Sequence, residues 1–193
     1  MTGGAMAHPE QREFINSVFM RHPKFFYLSK VLEVGSLDIN GSVRDFFTNC
    51  PYIGVDVAPG IGVDVVAHGQ DLVYPDRHFD VVISAECFEH NPFWRETFVN
   101  MVRMCGGLVI FTCATTGRAE HGTRASSPGS SPLTLDWDYY RNLSREDFEF
   151  AAGEFTSSDV VDFGSVFDVY EFSTNEVSHD LYFWGIVKER EMT

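Results

Sequence analysis

Short β-branched and aromatic runs recur along the first two thirds of the chain, separated by polar or helix-like segments, and this alternation constrains the fold more than any other feature. The runs are Lys30 to Val34, Tyr52 to Val57, Val63 to Val66, Phe79 to Ser84 and Leu108 to Cys113. Each is nearly continuous in apolar residues, the pattern of parallel strands buried on both faces. Between them the spacing predicts helices over Ser42 to Thr48 and Pro92 to Met104. The second puts Phe93, Phe98, Val99 and Val102 on one face after the start signal Asn91-Pro92. Gly69 to His78 is too short and too polar for a long helix.

The flanks complete the outline. Pro9 to Met20 carries Phe14, Ile15, Val18 and Phe19 at the spacing of one helix face, with His22-Pro23 as its stop. After Cys113 the stretch from Ala114 to Asp138 is rich in Gly, Ser, Thr and Pro, a length that compact domains keep for functional lids or leave disordered. Ser144-Arg145-Glu146-Asp147 is an approximate capping box. Two further strands are predicted at Asp159 to Phe163 and Leu181 to Lys188, joined by a connection that holds Phe167, Tyr170 and Phe172. The expectation is an α/β chain of seven strands forming one domain over 1–193. Residues 1–8 are set aside as a disordered lead-in or cloning remnant, and 114–138 as a lid or acceptor loop.

Charge narrows the partners. The chain has 14 Lys and Arg against 28 Asp and Glu, a net charge of -14 that repels a phosphate backbone, so nucleic acid is not expected. No apolar run approaches the ~20 residues that span a bilayer, and membrane insertion is not expected. The opening Met-Thr-Gly-Gly-Ala-Met-Ala lacks the basic start and apolar stretch of a signal peptide. Cys50, Cys87, Cys105 and Cys113 show no CxxC pairing and read as reduced, mostly buried thiols. A cytoplasmic setting is expected; the oligomeric state stays open. With no HExxH, paired Cys or evident carboxylate triad, a metal is not expected either.

The chemistry begins at Val31-Leu32-Glu33-Val34-Gly35-Ser36. A buried strand running into a tight Gly turn and then a helix sets backbone amides beside the carboxyl end of the sheet, where open α/β sheets bind ligands. Asp56, at the end of the next strand and roughly 20 residues beyond Gly35, is placed to accept from both ribose hydroxyls of a nucleoside. Together these point to an adenosine-containing cofactor, either a dinucleotide or S-adenosylmethionine. The turn Gly35-Ser36-Leu37-Asp38-Ile39-Asn40 lacks the second and third glycines of GxGxxG, which disfavours NAD.

At these residues the chain resembles the class I S-adenosylmethionine-dependent methyltransferases, in particular the type 11-like group, over roughly residues 30 to 113. The resemblance rests on VLEVGSLDINGSVRDFF, YIGVDVAPGIGVD, GQDLVYPDRHFDVVISAECFEH and the final strand LYFWGIVKE. It implies a Rossmann-like doubly wound, mostly parallel seven-stranded sheet with an antiparallel last strand. It also implies that Glu33 faces the methionine amino group, Gly35 forms the close turn, and Asp56 with Val57 holds ribose and adenine. Asp71 and Leu72 match the pair that reads the adenine edge; Ser84, Ala85 and Glu86 match the segment beside the methionine moiety. The usual GxGxG turn is replaced here, with Asn40-Gly41 supplying tolerant backbone one step later and Ser36 and Asp38 lending polar contacts.

The expected activity is methyl transfer to a small-molecule acceptor. If that acceptor must lose a proton, His90 and then His121 are the candidate bases. His121 lies in the long loop with Glu120, Arg118 and Arg124, and Glu89 is expected to be solvated. Phe93 and Trp94 are candidates for pocket wall or core; Tyr139 and Tyr140 are candidates to close the site or to anchor the loop. Two rival readings keep the same fold: a cofactor- or partner-binding module that transfers nothing, and an NAD-dependent oxidoreductase.

Overall fold

The computed structural model describes residues 9–149 and 162–189. Seven strands form one sheet: β1 (Val31–Val34), β2 (Tyr52–Asp56), β3 (Val65–Val66), β4 (Phe79–Ala85), β5 (Cys105–Ala114), β6 (Phe167–Asn175) and β7 (Asp180–Val187). Their order is β3-β2-β1-β4-β5-β7-β6. The pairs β1·β2, β1·β4, β2·β3 and β4·β5 are parallel. β7 runs antiparallel to both β5 and β6. This is the doubly wound, mostly parallel sheet with an antiparallel last strand. The direction of winding reverses between β1 and β4, which creates the crevice where such sheets bind ligands.

Alternation along the strands feeds two cores. Leu32, Val82, Val109, Phe111 and Phe183 face one side, where helix α2 (Trp94–Met104) lays Trp94, Phe98, Met101 and Met104 against them. Val31, Val81, Ile83, Leu108 and Ile110 face the other, covered by Ile15 and Val18 of helix α1 (Pro9–Arg21). A sheet buried on both faces leaves only its ends for polar chemistry. The α2 side is dense in aromatic rings: Phe111 and Phe148 stack at 4.3 Å between centroids, and Phe111 and Phe183 at 5.0 Å.

Three expectations need correction. The helix over Ser42 to Thr48 is a single 3-10 turn, Val43–Phe46, capped by the Ser42 hydroxyl accepting from Arg44 N at 3.1 Å. The preceding turn consumes the chain as far as Ser42, and left-handed Asn49 followed by Pro51 forbids helix beyond. The sixth strand lies at Phe167–Asn175, inside what the sequence suggests is a connection. It is an edge strand whose register shifts between Phe167 and Val169, a bulge that breaks the period of two. Of the strand expected at Asp159 to Phe163, residues 159–161 lie outside those described, as does the 1–8 lead-in; Phe163 starts a short helix, α3 being Arg145–Phe148 and α4 being Phe163–Val166. The capping box at Ser144 is present, with Asp147 Oδ2 accepting from Ser144 N at 2.9 Å.

Candidate functional site

The carboxyl ends of β1, β2 and β4 open onto a cavity of about 480 Å³, roofed by the loop that follows β5. From β1, Gly35 leaves the strand at φ +81, and its amide donates to Val55 O at 2.9 Å. A Cβ at this position would stand 2.5 Å from Cys87 Cβ, so both the backbone sign and the space require glycine. The turn is pinned beyond it: Leu37 N donates to Asp56 Oδ2 at 3.0 Å, and Asp38 Oδ1 accepts from Gly41 N at 2.8 Å. Gly41, at φ +119, supplies the second tolerant position. No long helix begins here, so the turn presents carboxylates and loop amides to the cavity without a helix N-terminus behind them.

Electrostatics set the character of the pocket. Glu33, Asp38, Asp56 and Glu86 all line it. Glu33 is buried within β1 and accepts from the Tyr52 phenol at 2.9 Å. Burial pushes its carboxyl up to about 7, against the opposing pull of the Tyr52 hydrogen bond and then Arg44. Burial also raises Asp56, offset by the Leu37 and Val57 amides that it accepts. Arg118 reaches the same cavity, but its guanidinium is already committed to the fully buried Asp180 at 2.7 Å. The lining therefore carries excess negative charge.

The far wall follows β4. Glu86 adopts φ +51, uncommon for a residue with a side chain, and its amide donates to Thr112 O at 2.9 Å. Thr112 Oγ1 in turn accepts from the buried Gln11 Nε2 at 3.0 Å, tying α1 to this corner. Glu89, expected in solvent, is wholly buried. Both carboxyls are raised by burial, Glu86 to about 7, and each is raised further by a neighbouring carboxylate, Asp180 for Glu86 and Glu86 for Glu89. His90 packs against His121 and Tyr140, at 4.9 and 5.6 Å between centroids. Burial, then His121 and Arg118, lower His90 to about 3. It is a neutral imidazole at physiological pH and a weak Brønsted base.

Not every candidate meets the cavity. Glu33, Gly35, Ser36, Asp38, Asp56, Ala85, Glu86, His90 and His121 line it; Val57, Asp71, Leu72 and Ser84 do not. Ser84 is buried and spends its hydroxyl on Val34 O at 2.8 Å, bracing β4 against β1. Leu72 sits in the core, its carbonyl held by Asn100 Nδ2 at 3.0 Å, and Asp71 is exposed. Above them Trp137 of the loop packs near His68 and Phe93, 5.5 and 6.2 Å between centroids. Trp94 belongs to the core and Phe93 is half-exposed. Tyr140 anchors the loop, its hydroxyl donating to Ala119 O at 3.2 Å. Gln11 was missed by sequence reasoning, although a polar residue one turn before Ile15 on the apolar face of α1 was a visible signal.

The sequence matches no protein-family model and no curated protein. Solved structures share its fold. Phosphoethanolamine N-methyltransferase 2 of Haemonchus contortus, in complex with S-adenosyl-L-methionine, aligns with TM-score 0.59 and 14% identity over 95% of this chain and 53% of that one. The CurJ carbon methyltransferase aligns with TM-score 0.56 and 14% identity over 90% and 53%. A SAM-dependent methyltransferase of Thermotoga maritima aligns with TM-score 0.52 and 14% identity over 95% of this chain and 100% of its own. The chain thus spans about half the length of the first two and the whole of the third.

Proposed function

Since the chain has the class I methyltransferase fold, we propose that its cavity binds S-adenosylmethionine and that the protein transfers the methyl group to a small-molecule nucleophile. The observation that carries this reading is the set of carboxylates Glu33, Asp38 and Asp56 around one cavity at the crevice beside β1, with the Glu86 carboxyl sealed into the wall behind them. A ligand bearing a sulfonium and an ammonium fits such a lining, whereas a pyrophosphate is repelled by it. The size, about 480 Å³, falls within the roughly 300–1,000 Å³ of small-molecule sites.

Each residue then has a task. Asp56 accepts Leu37 and Val57 amides on its two oxygens, and the lone pairs that remain receive the ribose hydroxyls. Glu33, steadied by Tyr52, receives the methionine ammonium. When bound, the cofactor supplies the activated methyl; the protein supplies orientation and a water-poor site. The loop from Thr115 to Asn142 serves as lid and acceptor wall through Arg118, Glu120, His121 and Ser131. His90, lowered to about 3, is too weak a base to deprotonate the acceptor.

Titration of the full chain with S-adenosylmethionine by calorimetry tests the first half; absence of heat together with absence of thermal stabilisation overturns it. Release of S-adenosylhomocysteine on screening hydroxyl and amine acceptors tests the second. A chain that binds the cofactor but releases no product under any acceptor is the non-catalytic module on the same fold.

A further inference from the structure

Behind the acceptor wall, three potential ligand atoms converge, one each from Glu89, His90 and His121, all within 4.8 Å of one another. We infer that Glu89, His90 and His121 form a divalent transition-metal site, with the Glu86 carboxyl beside it as an additional anionic group.

Three features support it. All four carboxyl oxygens of Glu86 and Glu89 are sealed from solvent and lack a hydrogen-bond partner of ordinary geometry, as does His90 Nδ1. Buried carboxylates left this way are costly unless they hold a proton or a cation satisfies them. The opposite edge of the His90 ring is held by the Tyr139 backbone, and His121 Nδ1 donates to Ala119 O at 3.1 Å. A backbone carbonyl behind each imidazole is the arrangement that fixes tautomer and ring orientation in metal-bound histidines. Finally, the nearest strong cation, Arg118, is bound to Asp180 and Ser178 O.

The donor set selects the ion. Two imidazoles with one or two carboxylates suit Zn2+ or Mn2+ better than Mg2+ or Ca2+, which favour all-oxygen shells. Three protein ligands leave coordination positions open, the form of a catalytic site. His90 and His121 are among the residues that line the cavity, so the site adjoins the space an acceptor would occupy. Resting on the methyl-transfer reading, this points to an acceptor that offers an oxygen, polarised by the ion. No sequence motif announces the site, since His121 comes from a different loop.

The test uses the full chain stripped with EDTA and titrated with Zn2+ or Mn2+ alone, by competition with a chromophoric chelator and by Mn2+ electron paramagnetic resonance. One equivalent should bind with a rise in Tm, and Mg2+ should bind at least ~10-fold more weakly. Glu89→Gln and His121→Ala should each cut affinity by ~10-fold or more while far-UV circular dichroism is unchanged; His78→Ala, a remote control, should leave it intact. Absence of saturable binding in folded protein overturns the proposal, and so does wild-type affinity in both His121→Ala and Glu89→Gln. Cofactor titration in EDTA is read separately, so failure of S-adenosylmethionine to bind does not bear on the ion.

Discussion

The Tyr52 phenol on β2 donates to Glu33 Oε2 on β1 across 2.9 Å, so a buried carboxyl at the cavity wall is held by the neighbouring strand. Burial nevertheless leaves Glu33 raised from 4.5 to about 7. A raised carboxyl favours the folded state fully below its unfolded pKa, and that contribution is lost as pH climbs from about 4.5 through about 7. Glu33→Gln should therefore flatten the fall in stability between pH 5 and 8 and be more stable than wild type at pH 8, by about 1–3 kcal/mol. Denaturant melts of the two proteins at several pH values decide it; parallel curves would count against it.

The same titration governs the ligand. An ammonium needs the ionised carboxylate, so affinity for S-adenosylmethionine should rise with pH through about 7 in wild type. In Glu33→Gln the affinity should be lower and this rise should shrink. Calorimetry at pH 6, 7 and 8 measures both.

Gly35→Ala forces a side chain into a left-handed backbone and onto Cys87 Cβ at 2.5 Å. The expected cost is about 2–4 kcal/mol in stability, with cofactor binding lost or weakened more than ~10-fold. Urea unfolding and calorimetry check the two parts independently.

Asp180 is fully buried against Arg118, so Arg118→Ala strands a carboxylate beside the Glu86 carboxyl, with the Tyr182 hydroxyl donating to it at 3.3 Å. The loss should be about 3–5 kcal/mol, and the double change Arg118→Met with Asp180→Asn should recover much of it. Thermal melts of the single and double variants are the measurement. Equal stability of the single variant and wild type would mean that the pair carries little.

Asp56→Ala removes the acceptor of Leu37 N as well as the proposed ribose contact. Affinity should fall by ~10–100-fold, whereas Asp56→Asn, which keeps one oxygen acceptor, should fall less. Unchanged affinity in both would remove Asp56 from the ligand site.

What could be read from the sequence follows from how each feature is encoded. Strands β1, β4 and β5 are buried on both faces, so their composition alone announces them. β6 escaped because its bulge and exposed edge mix Asp168 and Glu171 into an aromatic strand. Gly35 and Asp56 are local signals at the ends of predictable strands. The pairing of His90 with His121 is not local: it depends on where a loop without regular periodicity returns. Glu89 looked like a surface acid because nothing in its neighbours reports that Arg141 N reaches back to its carbonyl, at 2.9 Å, and seals it in.

The excursion after β5 begins where Thr115 N meets His179 O at 2.8 Å and ends where Leu143 N returns to Ala114 O at 2.9 Å. A loop stitched shut at its neck, with Arg118 anchored to Asp180 of β7 just inside it, has its two ends fixed whatever lies between. Beyond those anchors its interior can be lengthened, shortened or exchanged with little disturbance to the sheet, so under the proposed reading acceptor choice is free to diversify as an interchangeable cassette while the opposite wall of the cavity stays fixed.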